Sequence, residues 1–423
     1  MYLDLESDDV TLNEIYQSGN ISSFLQETAR LFISIERNES LKGRAFFEPR
    51  SDARLEDLSG WLVRPSSTPP RRDTILHVAT ELYSTGGHTR VMEDIVRAMP
   101  DRRHVVILTD LLGSYSSGRA SLGLLEQRFM EIGLEVQWLP QGDILSRAIM
   151  LTKMVNAISP GAIFVNAHPF DTVAYGGISG KSAPRVLLLH HADSYPALGS
   201  SRRDYIHVDL TDMCHAICCS SHLHEPKLLP MSVEDQGVIA PDYSGPITGV
   251  TSGTYNKFEG NVGSTYAELL VAVLQGGVAA MHHIGALQPV QTEEIYKALD
   301  DAGVDRSRVI FHGGVPSLSE KLMELKPNFV LNSHPIGGGK ALIEALSLGL
   351  PLMHYSPPEK LPIYNWVEKL KGCIVLNDFS EVPKVIQSIR ENGLEIGKIN
   401  RDVYEERHTM KAFRQSLEEL TSF

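Results

Sequence analysis

Twice along this chain, short apolar runs rich in Ile, Val and Leu alternate with segments of helix length. That rhythm constrains the fold more than any single motif. The first series comprises residues 75–79, 105–108, 134–138, 162–165, 186–189 and 215–219, the last reading His215-Ala216-Ile217-Cys218-Cys219. Strands apolar on both faces belong in a parallel sheet covered by helices, so these six predict one doubly wound α/β domain over residues 73–240. The rhythm stops over residues 225–246, a stretch with four prolines and no period, which suits an interdomain connection. It restarts with residues 247–250, 278–281, 308–312, 328–331, 350–353 and 373–376, predicting a second such domain over 241–400. Residues 403–420 carry an amphipathic helix pattern, so 401–423 is expected as a C-terminal helix. No internal repeat is evident.

Residues 1–72 differ from the rest. Apolar positions from Ile21 to Ile35 recur at helical spacing, and residues 55–62 fit another short helix. Arg64-Pro65-Ser66-Ser67-Thr68-Pro69-Pro70-Arg71-Arg72 has linker chemistry. This region reads as a helical accessory segment tethered to the first domain, and as a surface for a homo-oligomer or partner protein.

At 423 residues the chain exceeds the usual size of one core. A net charge of -13 argues against a general nucleic-acid binder but leaves room for a local basic pocket. The opening Met1-Tyr2-Leu3-Asp4-Leu5-Glu6 is acidic where a signal peptide is basic, and no apolar stretch reaches the ~18 residues of a membrane span. A cytoplasmic chain, with peripheral membrane attachment left open, is expected. The four cysteines, Cys214, Cys218, Cys219 and Cys373, form no zinc-like CxxC pair and read as reduced core residues.

Four segments carry chemistry. Ser84-Thr85-Gly86-Gly87-His88-Thr89-Arg90 follows the first strand; it lacks both the GxGxxG and the GxxxxGK[ST] patterns, and offers Gly87, His88 and Arg90 to a polar or negative group. His190-His191-Ala192-Asp193 follows the fifth strand, where His191 or Asp193 can serve as a general base; His168 stands likewise after the fourth. Thr251-Ser252-Gly253-Thr254-Tyr255-Asn256-Lys257 opens the second domain, with Ser252, Thr254 and Lys257 suited to phosphate oxygens. Most informative is Asn332-Ser333-His334-Pro335-Ile336-Gly337-Gly338-Gly339-Lys340-Ala341-Leu342-Ile343-Glu344. Backbone N–H groups at Gly338, Gly339 and Lys340, with the helix dipole behind them, suit a diphosphate. Glu344, about one turn further, suits ribose hydroxyls. Phe311-His312-Gly313-Gly314-Val315-Pro316 follows the third strand of the second domain, and Val315 or Pro316 can touch the face of a base.

The second half resembles GT-B glycosyltransferases, in detail the branch holding O-GlcNAc transferase and the bacterial protein N-glucosyltransferases. The loop from Ser252 to Lys257 is similar to that branch's loop ending in a phosphate-binding lysine. Pro335 to Pro351 resembles its donor motif, with Gly338 and Gly339, then Lys340 and Ala341 where small hydroxyl residues are usual, then the ribose-binding Glu344. Of the wider GT-B pattern of two glutamates, Glu344 fits the second and Ile336 stands at the first, which disfavours a retaining mechanism of that type. The resemblance implies two Rossmann-like domains facing across a cleft. It implies transfer from a nucleoside-diphosphate sugar, UDP-linked in preference, to a glycan, protein or lipid acceptor, as in bacterial glycosylation. His334, Gly337 and Val315 would join the donor site; His191, Asp193 and His88 would be catalytic; Gly87, Arg90 and His168 would shape the acceptor or sugar pocket. No DxD-like pair stands at a strand end, so no metal or other cofactor is expected, and an inverting course is favoured. Rival readings are a CMP-sugar (sialic acid or Kdo type) transferase, suggested by His334-Pro335, a non-catalytic protein of the same fold, and a nucleotide-sugar epimerase, for which no acid pair is evident.

Overall fold

The computed structural model describes residues 6–38, 46–64, 68–83, 87–191, 195–221, 225–260, 262–358 and 366–422. The chain divides into two compact units, Met1–Pro230 together with Phe413–Phe423, and Met231–Ala412.

The first unit is built on seven parallel strands, β1 (Arg71–Ala79), β2 (Arg103–Leu108), β3 (Leu134–Trp138), β4 (Pro160–Asn166), β5 (Arg185–His190), β6 (Ile206–Asp209) and β7 (Lys227–Leu228). Their order is β3-β2-β1-β4-β5-β6-β7, so the winding reverses between β1 and β4. Every residue of β4 is buried, as expected of a central strand with helices on both faces. The second unit repeats the plan with β8 (Thr248–Ser252), β9 (Ala280–Ile284), β10 (Val309–Phe311), β11 (Phe329–Leu331), β12 (Leu352–Tyr355) and β13 (Cys373–Leu376) in the order β10-β9-β8-β11-β12-β13. Its reversal falls between β8 and β11. At such a switch point two neighbouring loops leave the sheet in opposite directions and open a crevice at the strands' carboxyl ends. Both units are thus doubly wound, Rossmann-like sheets.

The N-terminal helices Glu6–Gln17, Ile21–Glu36 and Pro49–Leu62 are not a tethered accessory. Phe24, Leu25, Phe32, Ile35, Leu55 and Leu58 belong to one apolar core with Leu76, Val78, Ile163 and Val173 of the first unit. The polar seam is equally tight: the buried Asp52 carboxylate accepts the N–H groups of Gly199 at 2.6 Å and Ser201 at 2.7 Å.

Three local expectations need correction. Residues 215–219 form no strand; they lie in the helix Asp212–Ser220, capped by Thr211, whose Oγ1 accepts from the Cys214 N–H at 3.2 Å. A short apolar run fits strand and helix alike, and here the cap decides. The sixth strand is β6 instead. Cys214 and Cys218 are buried as expected, but Cys219 is exposed and Cys373 half-buried. Finally, residues 403–420 are not one helix: Val382–Arg407 ends at His408 and Met410–Thr421 restarts after it. The Thr409 hydroxyl accepts the Ala412 N–H at 3.2 Å, opening the new helix, while His408 Nδ1–H donates to the Met231 carbonyl at 2.7 Å. Among the described residues no helix is long and apolar enough to cross a membrane.

Candidate functional site

In the second unit the loops after β8 and β11 flank the switch point, and side chains stitch them together. Lys257 Nζ donates to the Gly337 carbonyl at 2.8 Å, and the Ile336 N–H donates to the Lys257 carbonyl at 3.2 Å. The glycine run then passes close over Asn332, whose Oδ1 accepts the Gly338 N–H at 2.7 Å and whose Nδ2 donates to His354 Nδ1 at 3.0 Å. A methyl group on Gly337 would come within 3.0 Å of Asn332 Nδ2, so the bare backbone is what allows the approach. Ser333 tightens the turn by donating to the Ile336 carbonyl at 2.7 Å. The helix Lys340–Ser347 follows, with Gly339 at its N-cap and no side-chain cap. Its first turn presents the positive end of the helix dipole to the crevice. One turn in, half-buried Glu344 is held by Ser319, which donates to Oε2 at 2.7 Å.

The neighbouring loops are packed backbone against backbone. Gly253 N–H donates to the Ile284 carbonyl at 2.9 Å and Gly285 N–H to the Gly313 carbonyl at 2.7 Å. Gly285, at φ +132°, would put a methyl group 1.8 Å from the Gly253 carbonyl oxygen. The loops after β8, β9 and β10 are therefore joined through their backbones, with Gly285 the position where no side chain fits.

Of the expected donor residues, Lys257, Gly337, Gly338, Gly339 and Lys340 come together at the switch point. Two roles change. The Gly338 N–H is committed to Asn332 rather than offered to a ligand. His334 is buried: its Nε2–H donates to the Ser264 carbonyl at 2.9 Å and its ring lies 4.9 Å from that of Tyr355, so it packs the loop from inside. Ser252 is half-buried at the end of β8, and Thr254 is exposed, donating to Asn256 Oδ1 at 2.6 Å. Val315 is half-buried in the loop after β10. Sequence reading gave no role to Asn332 or Ser319. Asn332 closes β11 directly before the glycines, and a polar side chain there is the one signal available; Ser319 lies far from the motif and offers none.

At the first unit's switch point, Asp171 Oδ2 accepts the hydroxyls of Thr80, at 2.6 Å, and Thr109, and Thr80 Oγ1 accepts the His168 N–H at 2.8 Å. The ends of β1, β2 and β4 are locked by this one carboxylate. Three half-buried imidazoles cluster beside it. The His88 ring lies 5.4 Å from His168 and 4.6 Å from His191. His88 Nε2–H donates to the Asn166 carbonyl at 2.6 Å and His191 Nδ1–H to the Leu189 carbonyl at 3.1 Å, which fixes both tautomers. The opposite nitrogens, His88 Nδ1 and His191 Nε2, have no hydrogen-bond partner among the described residues. Burial, with His168 adding to it, brings His88 down to about 4. Burial, reinforced by His88 and His168, holds His191 well below the ordinary imidazole range. Near neutral pH these are neutral rings with lone pairs able to take a proton.

The other expectations here are redistributed. Arg90 is paired with Glu93 at 3.1 Å, as are Arg97 at 3.6 Å and Arg128, and Glu93 is fully buried. Arg90 therefore neutralises a carboxylate of its own helix, Gly87–Ala98. Gly87 is exposed with open space where a side chain would stand. Asp193 lies outside the described residues.

No protein-family model matches the sequence, and no curated protein matches it. Solved structures do. HepE of Anabaena, determined with UDP and glucose, matches with a TM-score of 0.60 over 82% of this chain and 99% of its own, at 14% identity. An O-GlcNAc transferase of Thermobaculum terrenum matches with 0.56 over 93% of this chain and 76% of its own, also at 14% identity. WaaB, a lipopolysaccharide outer core galactosyltransferase, gives 0.57 over 82% and 98%, again at 14%. At such identity the likeness is one of fold, and the fold is that of GT-B glycosyltransferases: two Rossmann-like domains in one chain.

Proposed function

We propose that this chain is a glycosyltransferase that takes a sugar from a nucleoside diphosphate, UDP in preference, and passes it to a glycan, protein or lipid acceptor. The observation that carries the reading is the stitched pair of loops at the second unit's switch point, with Lys257 Nζ on the Gly337 carbonyl beside an uncapped helix start. Lys257 and the helix start would meet the charge that builds on the departing diphosphate, the kind of preorganised electrostatic stabilisation that dominates such chemistry. Glu344, oriented by Ser319, would accept the ribose hydroxyls. The choice of UDP is supported by the HepE structure, which was determined with that nucleotide.

In this reading the acceptor hydroxyl attacks the anomeric carbon from the side opposite the diphosphate, inverting it. The leaving oxygen's charge is held by Lys257 and the helix N–H groups of the second unit without a metal ion; the neutral imidazoles His191 and His88 of the first unit are, taken by themselves, the candidates for accepting a hydroxyl's proton. Calorimetric titration against UDP, GDP, ADP and CMP tests the donor class. UDP is expected to bind with clear preference; if no nucleotide binds, the chain is not a transferase of this kind, and preference for CMP would turn the assignment to CMP-sugar chemistry.

A further inference from the structure

Beyond the proposed activity, one cluster in the first unit is unused by it. His190 closes β5 and stands in register with Asp209 on β6. His207 lies two residues earlier on β6, so its side chain points to the same face of the sheet as that of Asp209. Cys214 and Cys218 are four residues apart on the helix Asp212–Ser220 and so share one face of it. The three elements bring five donor atoms to one point. His190 Nδ1 lies 3.0 Å from Asp209 Oδ1, 3.3 Å from Cys214 Sγ, 3.5 Å from Cys218 Sγ and 3.1 Å from His207 Nε2. All five residues are at most 2% exposed.

Hydrogen bonds can link these atoms, but their convergence is also that of a coordination shell. Each thiol or imidazole proton can serve one acceptor, while His190 Nδ1 alone has four polar atoms within 3.5 Å in a volume closed to water. A cation satisfies them together. The ligand atoms of His190, Asp209, Cys214 and Cys218 all lie within 4.8 Å of one another. Tetrahedral zinc, with bonds of about 2.0–2.3 Å to nitrogen, oxygen and sulfur, sets its ligands about 3.3–3.8 Å apart. Mixed sulfur and nitrogen donors select zinc-class metals over magnesium or calcium. The surroundings also suit metal ligation: His207 Nε2 is 2.9 Å from Asp209 Oδ1, and His215 Nδ1 is 3.4 Å from Oδ2, so outer imidazoles orient the carboxylate.

We infer that His190, Asp209, Cys214 and Cys218 form a structural site for a zinc-class divalent cation, closed on all sides and separate from any reacting atom. It joins β5, β6 and the helix Asp212–Ser220 near the sheet margin, where β7 is only two residues long. The chain continues from His190 directly into His191, whose ring turns instead to His88. The cation therefore fixes the strand end that carries one of the three clustered imidazoles. The absence of a CxxC pair concealed the site, since two of its ligands come from strands and two from one helical face.

The test is elemental analysis of the full chain produced with zinc in the medium, followed by chelator stripping and cobalt titration. One zinc per chain is expected, with thiolate-to-cobalt charge-transfer absorption and the intense d–d bands of tetrahedral cobalt saturating at one equivalent. Cys214→Ser/Cys218→Ser is expected to lose the metal and those bands, whereas Lys257→Met keeps both. Should the double variant fail to fold, the cobalt spectrum of the parent chain decides alone. A folded parent chain that holds no zinc and gives no thiolate–cobalt band overturns the inference, as does a double variant that retains its metal.

Discussion

Lys257→Met is the sharpest probe of the donor site, because the lysine's two roles separate in magnitude. In the free chain the half-buried ammonium donates to the Gly337 carbonyl at 2.8 Å. Water can replace that donor at a partly open loop, so the loss of fold stability is expected to stay near 1 kcal/mol, the ordinary net value of a hydrogen bond. Against a diphosphate the same charge does more. A unit charge met at ~4 Å is worth about 1 kcal/mol in bulk water and about 4 kcal/mol at the effective dielectric of a protein surface. Half exposure places Lys257 between these limits. A working value of about 2 kcal/mol corresponds to roughly 30-fold weaker binding. Methionine keeps the length and apolar stem, so packing is little disturbed. Titration calorimetry with UDP reads the affinity and a melting curve reads the fold. Binding within about twofold of the parent would refute the reasoning; so would a loss of melting temperature large enough to account for the weaker binding, which would make Lys257 a structural residue.

Glu344→Ala is expected to weaken UDP binding about tenfold, in line with one or two lost charged hydrogen bonds. It should also erase the parent's preference for UDP over 2′-deoxy-UDP, a comparison that a purely structural glutamate would leave unchanged. His88, brought to about 4 by burial and then by His168, stays neutral in the fold where the unfolded chain's imidazole titrates at the usual 6.5. The unfolded state binds more protons between those values, so stability rises with pH from about 4 to about 6.5 and is lost as pH falls through that window. His88→Gln, which keeps a donor for the Asn166 carbonyl, should reduce this slope in urea denaturation at pH 5, 6 and 7; an unchanged slope counts against a neutral His88. Asp52→Asn turns one of two accepting oxygens into a donor facing the N–H of Gly199 or Ser201, and should cost about 1–3 kcal/mol by urea denaturation. An unchanged midpoint would show that the N-terminal helices do not depend on that seam.

The double α/β plan was legible because a buried parallel strand must be apolar on both faces, and such runs stand out from amphipathic helices. The five runs from Ile75 to Leu189 and the six from Ile247 to Leu376 all overlap observed strands, though β9 and β12 start two residues late. Where the run was short the pattern failed. Residues 215–219 read as a strand until the Thr211 cap made them helical, and β6 passed unnoticed because Ile206-His207-Val208-Asp209 alternates apolar with polar side chains. The glycine run at Gly337–Gly339 announced a backbone exposed at a helix start. That the Gly338 N–H is taken by Asn332, and that His334 points inward to Ser264, depends on residues distant from the motif or on ring orientation, which no local pattern encodes.

Local chemistry therefore determined which segments become strands, which turns require glycine and which loops can carry phosphate-binding groups. These follow from periodicity, backbone freedom and helix capping, all set within a few residues. Tertiary structure decided which polar groups remain available for chemistry. Arg90 was spent on buried Glu93, and His190 was turned to Asp209 and two cysteines while His191 was turned to His88. The physical reason is that a buried charge or lone pair takes whichever partner the fold brings within about 3 Å. That partner comes from another strand or helix, and only the folded sheet sets the distance.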